Sequence, residues 1–289
     1  MTEAPPPETF LSGRVGYVGP RRSVPLRWVD RLLDLELRAR RVPARLDRLA
    51  AATPRRRVLV MCVYRAGSAR VGALPAALGS DRHEVTLAFG AMGEPSAAIG
   101  EATVVSGLEG GKFENLNEIL RTGGHDAGDF DWTLVADDDI VLPGRLTDRL
   151  VAIGESLGLA LLQPAQTLAS HAAWPVTRRR PLSVARRTGF VEIGPLFAMS
   201  SAVAAELTPF PELRFGWGLE LHWAALARER GWRLGVVDAL PVRHDEAGVA
   251  SSYRHADAVS EAQRFLAGHS YVPSGEADRT LAVYRRLAG

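Results

Sequence analysis

The sequence predicts an α/β domain with three layers, a central sheet covered by helices on both faces. Three observations predict it. Short apolar runs of strand length alternate with amphipathic runs of helix length between residues 57 and 162. Their order is strand, helix, strand, strand, helix, strand, helix, strand, the signature of a layered α/β domain. One of these runs, Thr133-Leu134-Val135-Ala136, is apolar on both faces and ends in three consecutive carboxylates, Asp137, Asp138 and Asp139. A strand buried on both sides belongs to the middle of a sheet, and its C-terminal end is where open α/β sheets bind ligands.

In chain order, residues 1–25 are rich in Pro, Gly and Arg and read as irregular. Residues 26–52 read as helical, with Leu26, Val29, Leu32, Leu33 and Leu37 on one face and Pro43 as a break. Strands are expected at 57–64, 84–89, 102–105, 133–136 and 159–162. Helices are expected at 71–78, 112–121 and 144–153, the second opened by Gly110-Gly111 and closed by Gly123-Gly124. Residues 164–188 have little periodicity and many arginines, so they read as a long loop, functional or disordered, whose run from Arg178 to Arg187 suits an anionic acceptor or donor diphosphate, or else a solvated surface. A strand is expected at 190–200, helices at 202–207 and 221–230, a strand at 233–237, and helices at 257–266 and 276–287. Three segments follow: an N-terminal extension with a basic amphipathic helix (1–55), the α/β domain (56–250) and a helical C-terminal tail (251–289).

Composition narrows the function. The 289 residues are 46% hydrophobic and 24% charged, ample for a large core. The net charge of +2 excludes a protein that binds nucleic acid with its whole surface. The basic groups are 34 arginines and one lysine, Lys112, a skew that fits a GC-rich genome. The lone Cys62 excludes an intramolecular disulfide and points to a reducing compartment. The Pro-rich, acidic opening residues lack a signal-peptide pattern, and no apolar run spans a bilayer. A cytoplasmic protein is expected. Residues 1–57 carry 13 arginines against 6 acids, so two readings of the N-terminal helix stay open. It packs its leucine face on the domain, or it makes weak peripheral contact with an anionic membrane.

Three groups of residues carry chemistry. Asp137-Asp138-Asp139 contains D-x-D. Adjacent carboxylates repel and call for a cation or for solvent, and hard oxygen ligands suit Mg2+ or Mn2+, which in turn hold diphosphates. The bland alternative is a solvated Asp-rich turn. Gly110-Gly111-Lys112-Phe113-Glu114-Asn115 opens a helix with free N–H groups and one cation, suited to phosphate, although it fails the P-loop pattern. Otherwise Lys112 is a solvated helix start. Gly216-Trp217-Gly218-Leu219-Glu220 offers a flat aromatic wall for a sugar and a carboxylate to take a proton. His244 further on can join the Asp cluster at a metal, or be a surface histidine beside Asp245.

The order of these features resembles the GT-A class of nucleotide-sugar glycosyltransferases. The stretch from Phe215 to Glu220 and the pair Arg243-His244 look like the W-G-W-G-x-E-D and R-H segments of β-1,4-galactosyltransferases. The D-D-D run looks like that of fringe-type and exostosin-type enzymes. From K-F-E-N at Lys112 through V-E-I at Val191 to V-V-D at Val236 the chain is similar to an uncharacterised plant and bacterial family thought to be GT-A-like. The resemblance covers residues 57–248. It implies a GT-A Rossmann-like α/β/α sandwich with a mixed, mainly parallel sheet, and transfer of a sugar from a nucleoside diphosphate sugar to a hydroxyl acceptor with inversion. It implies Mn2+ or Mg2+ held by Asp137, Asp139 and His244. Tyr64, Arg65, Lys112, Asn115, Asp137 and Asp138 would face the nucleotide-sugar, with a UDP-sugar slightly favoured. Trp217 and Glu192 would face the acceptor, and Glu220 would be the base. One departure stands out: the aspartate that acts as base in the galactosyltransferases is Leu221 here.

Other classes fit parts of the pattern. Asp137-Asp138-Asp139-Ile140-Val141 satisfies the D-x-D-x-[TV] of haloacid dehalogenase-like phosphatases, but the only lysine lies upstream of it. A sugar-nucleotide pyrophosphorylase would need a better glycine loop than Ala66-Gly67-Ser68-Ala69-Arg70. A non-catalytic nucleotide-sugar-binding GT-A-like protein is supported by Leu221.

Overall fold

The computed structural model describes residues 4–14, 16–244 and 253–287. Asp245, weighed above as a neighbour of His244, lies outside them. The chain runs α1 (Pro20–Ala39), α2 (Val42–Ala52), β1 (Arg57–Arg65), α3 (Leu74–Leu78), β2 (Glu84–Met92), β3 (Thr103–Val105), α4 (Lys112–Gly123) and β4 (Trp132–Asp137). It continues through β5 (Ile140–Val141), α5 (Leu146–Leu157), β6 (Leu161–Gln166), β7 (Ala185–Thr188), β8 (Leu196–Ser200), α6 (Ser201–Leu207) and α7 (Leu219–Arg230). It ends with β9 (Leu234–His244), α8 (His255–Ala267), α9 (Ser274–Ala277) and β10 (Thr280–Tyr284).

One mixed sheet organises all of it, in the order β10-β7-β9-β6-β8-β4-β1-β2-β3, with β5 paired to β9 off this path. β3, β2, β1 and β4 are mutually parallel, β6 is parallel to β9, and β8, β7 and the short β5 run against these. The strand period of two sorts β1 between two cores. Leu59 and Met61 join a cluster with Phe113 and Leu116 of α4, Trp223 of α7 and Phe265 of α8. Val58, Val60 and Cys62 point the other way, to Leu46 of α2, Leu74 of α3 and Leu150 of α5. The expected three layers are therefore present, and α2 belongs to one of them.

Several expectations need correction. Residues 20–25, read as irregular, open α1, with Pro20 in its first turn and Pro25 inside it. Residues 276–287 are not a helix: α9 is a single turn and β10 is a strand on the edge of β7. Thr280-Leu281-Ala282-Val283-Tyr284 alternates in burial with β-branched and aromatic residues, which suits a pleated edge better than a helix. The strand expected at 190–200 begins only at Leu196, because Pro195 has no N–H for a ladder. The arginine-rich loop is neither disordered nor simply solvated. Arg186 and Arg179 are buried, and β7 runs through it. The leucine face of the N-terminal helix is only partly covered. Leu37 is buried, while Leu32 and Val29 are exposed.

Candidate active site

Strand β4 delivers Asp137 at its end, and the next two residues turn the chain into β5. The Asp137 N–H donates to the Pro195 carbonyl (2.8 Å), which holds the strand end in register with β8. The turn is fixed from outside. Asp138 points away from its neighbours and accepts from the Arg65 N–H (2.9 Å) and from the Arg65 guanidinium (3.2 Å). Ser68 and Arg70 donate to the carbonyls of Asp138 and Asp139. With Asp138 buried against Arg65, Asp137 and Asp139 are left to converge, which is the geometric meaning of D-x-D here.

His244 arrives from the far end of β9. The short ladder between β5 and β9 pairs Ile140 with His244, so the histidine is brought back to the Asp turn by backbone hydrogen bonding. Its Nε2 lies 3.2 Å from Asp139 Oδ1. One ligand atom each from Asp137, Asp139 and His244 falls within 4.8 Å of the others. Burial disfavours the charged His244, but the hydrogen bond and charge of Asp139 outweigh it and raise the histidine. Burial likewise pushes Asp139 up, and the hydrogen bond from His244 overrides it and leaves the carboxyl below its ordinary range. Two carboxylates and an imidazole converging from fixed strand ends fit a divalent cation of the Mn2+ or Mg2+ kind.

Lys112 completes the cluster. Its Nζ donates to Asp137 Oδ1 (2.6 Å) and to the Ile193 carbonyl (2.7 Å). The lysine stands in the first turn of α4, whose start is closed by Glu114 accepting from the Gly111 N–H (2.6 Å) and by Asn115 bridging the Gly110 N–H and carbonyl. Asn115 is thereby committed to the loop. Tyr64 is also committed: it is fully buried, with its hydroxyl on Thr103 (2.7 Å) and the Ser96 N–H (3.1 Å). Arg65, by contrast, is half-exposed beside the cluster.

Electrostatically coupled to this candidate metal cluster is a second polar group that the residue pattern only half revealed. Glu192 accepts from Gln166 Nε2 (2.7 Å), and its N–H donates to Gln163 Oε1 (2.6 Å). Gln163 and Gln166 are buried on β6, yet Gln163 Nε2 and Gln166 Oε1 have no hydrogen-bond partner; nor has Glu220 Oε2. Burial, followed by the charge of Glu220, raises the Glu192 carboxyl to about 8, and His244 and Asp137 also act on it. Burial raises Glu220 to about 7 against the pull of backbone N–H groups at the start of α7. Two amides in a strand that is otherwise apolar were the readable signal, since buried amides need a reason.

Glu220 is carried by the turn 215–218. Gly216 and Gly218 hold positive φ of 74° and 85°, and a Cβ at Gly216 would strike the Phe113 ring. Trp217 is partly covered: its indole N–H donates to the Tyr253 hydroxyl (2.9 Å), and its ring meets His255 edge to face. Glu261 of α8 accepts from three consecutive backbone N–H groups, those of Arg214, Phe215 and Gly216 (2.8–3.0 Å). Nothing in the spacing of Glu261 marked this clamp.

No protein-family model matches the sequence, and no curated protein matches it. Solved structures do. A mannosyltransferase from Pyrobaculum calidifontis, in complex with GDP-Man and Mn2+, aligns over 88% of this chain and 77% of its own at a TM-score of 0.50 and 15% identity. GalNAc-T7 with UDP, GalNAc and Mn2+ aligns over 65% of this chain and 44% of its own, at 0.46 and 13%. A mycobacterial protein aligns over 84% and 88%, at 0.44 and 16%. The fold is the GT-A type of α/β fold that the resemblance implied.

Proposed function

We propose that this chain is a metal-dependent glycosyltransferase that moves a sugar from a nucleoside diphosphate sugar to a hydroxyl acceptor with inversion. One observation carries the reading. Asp137, Asp139 and His244 converge at the C-terminal ends of β4 and β9, within 4.8 Å of one another, in a fold shared with a mannosyltransferase holding GDP-Man and Mn2+. Asp137, Asp139 and His244 would hold Mn2+ or Mg2+, and the bound ion would neutralise the donor's diphosphate and the departing nucleoside diphosphate.

The chain's own residues do the rest. Lys112 sets a fixed positive charge beside Asp137, where it can exchange a carboxylate for a phosphate oxygen. Arg65, half-exposed, is a second cation for the donor. Gln163 and Gln166 are buried and hold Glu192, which would face a hydroxyl of the acceptor, and Trp217 would offer its ring to the acceptor's sugar face. The acceptor oxygen bonds to the anomeric carbon as the bond from that carbon to the diphosphate breaks, and the hydroxyl proton passes to a carboxylate. Glu220 is the base in this reading: its raised pKa of about 7 matches a group that must take a proton near neutral pH. A second reading assigns the base to Glu192, favoured by its electrostatic coupling to Asp137 and His244.

The test is release of nucleoside diphosphate from a panel of UDP-, GDP- and TDP-sugars, UDP-sugars first, with Mn2+, with Mg2+ and with EDTA. Sugar-dependent release that EDTA abolishes is expected. Phosphate release from simple esters would support the phosphatase instead, and donor binding with no turnover would support a binding protein.

A further inference from the structure

Helix α1 sorts its side chains more sharply than packing on the domain requires. Each of its acids is committed. Asp30 is buried and accepts from the Leu168 (3.0 Å) and Ala169 (3.2 Å) N–H groups. Asp34 pairs with the buried Arg179 (2.9 Å). Glu36 pairs with Arg40 and accepts from the Leu182 N–H (3.0 Å). Leu37 goes into the core. The other face is different. Val24, Trp28, Leu32 and Leu35 recur at spacings of four, four and three, so they form one stripe along the helix. They are 58%, 61%, 64% and 55% exposed. Arg21, Arg22, Arg31 and Arg38 stand exposed on and around that stripe, and the Arg31 guanidinium lies 4.7 Å over the Trp28 ring. Isolated exposed apolar residues are ordinary; a continuous stripe of four large ones rimmed by cations marks a contact surface.

We infer that α1 is an interfacial helix that docks the protein on an anionic lipid bilayer. Charge complementarity selects this occupant. The face carries arginines without acids, which suits lipid phosphates. A symmetric pairing of two copies through α1 would set arginine against arginine. Trp28 sits where an indole suits the headgroup level, and no helix among the described residues is long and apolar enough to cross a membrane, so α1 lies on the bilayer. The flank of α1 also lines a cleft of about 470 Å3 whose other wall includes Val141 of β5 and Arg243 of β9. Docking at α1 therefore brings lipid to the border of the strand pair that carries His244.

The test is cosedimentation of the full chain with phosphatidylcholine vesicles carrying about 30 mol% phosphatidylglycerol, against pure phosphatidylcholine. Binding to the anionic vesicles, weakened by salt, is expected. Trp28→Ser, Leu32→Ser and Leu35→Ser together should lower it at least about tenfold with an unchanged melting curve, because these side chains are exposed. Arg21→Gln, Arg31→Gln and Arg38→Gln together should remove the preference for anionic lipid while the stripe stays intact. No binding to either vesicle, equal binding by the serine variant, or a dimer in light scattering that the serine variant dissociates would each overturn the inference. The assay needs no sugar donor, so its failure is distinct from failure of the transferase reading.

Discussion

Two clusters of charge, both built on β9, behave in opposite ways. Midway along the strand, Asp238 meets Arg186 in a fork of two bonds (2.8 and 3.0 Å), with side-chain exposures of 0% and 1%. Every remaining valence is used: Asp238 also accepts from Ser183 and the Arg180 N–H, and Arg186 also donates to the Val176 and Arg178 carbonyls. At the end of the same strand, His244 meets Asp139 with Asp137 alongside, and there the negative charge is only partly answered, by one lysine and one histidine. The closed cluster stitches β7, β9 and the neighbouring loop together. The open one brings a ligand atom of each of Asp137, Asp139 and His244 within 4.8 Å of the others. A saturated buried charge belongs to the architecture; converging carboxylates with spare capacity at strand ends belong to chemistry.

The comparison can be broken at its open end first. Asp139→Asn should cost at least about 10³-fold in donor turnover, because a lost ligand removes several kcal/mol of transition-state stabilisation. The fold should survive, and steady-state rates with a Mn2+ titration alongside a melting curve check both. Glu220→Gln comes next, with an expected loss of roughly 10²–10⁴-fold in kcat and donor affinity retained. The same measurement on Glu192→Gln decides between the two carboxylates. A near-wild-type rate in the Glu220 variant, or a product keeping the donor's anomeric configuration, discards that base. With Glu220 as base, turnover rises with pH through about 7, since the carboxylate must be ionised.

The closed end responds in stability. Arg186→Met alone strands a buried aspartate and should cost about 3–5 kcal/mol in denaturant unfolding, with turnover per folded molecule unchanged; Arg186→Met with Asp238→Leu should recover much of it. The smallest effect sharpens the contrast. Glu220 has its pKa raised from 4.5 to about 7, so between those values the folded chain holds a proton that the unfolded chain releases. Stability then falls as pH rises across that window and levels off above it. Glu220→Gln should therefore gain about 1–3 kcal/mol at pH 8 relative to wild type, and little near pH 4.

Much of this was legible in the residues. The layer order followed from periodicity, and the candidate metal set that the resemblance implied, Asp137, Asp139 and His244, converges in the structure. What stayed hidden is non-local. The arginine loop reads as solvated because the partner of Arg186, Asp238, is 52 residues away and hidden in a strand. Residues 280–284 read as helix because nothing nearby shows that the edge of β7 is vacant for them. Periodicity ends the strand expected from residue 159 at residue 162, whereas β6 runs on to Gln166, so the pattern gives no hint that Gln163 and Gln166 reach Glu192.

The Glu261 clamp has a thermodynamic consequence of its own. A single carboxylate takes three successive amide hydrogens and fixes the backbone just ahead of Trp217. Disorder in that turn is removed when the protein folds. On the proposed reading, an acceptor sugar reaching Trp217 would meet a surface already in place, and its affinity would not be reduced by the entropy of arranging a loop around it.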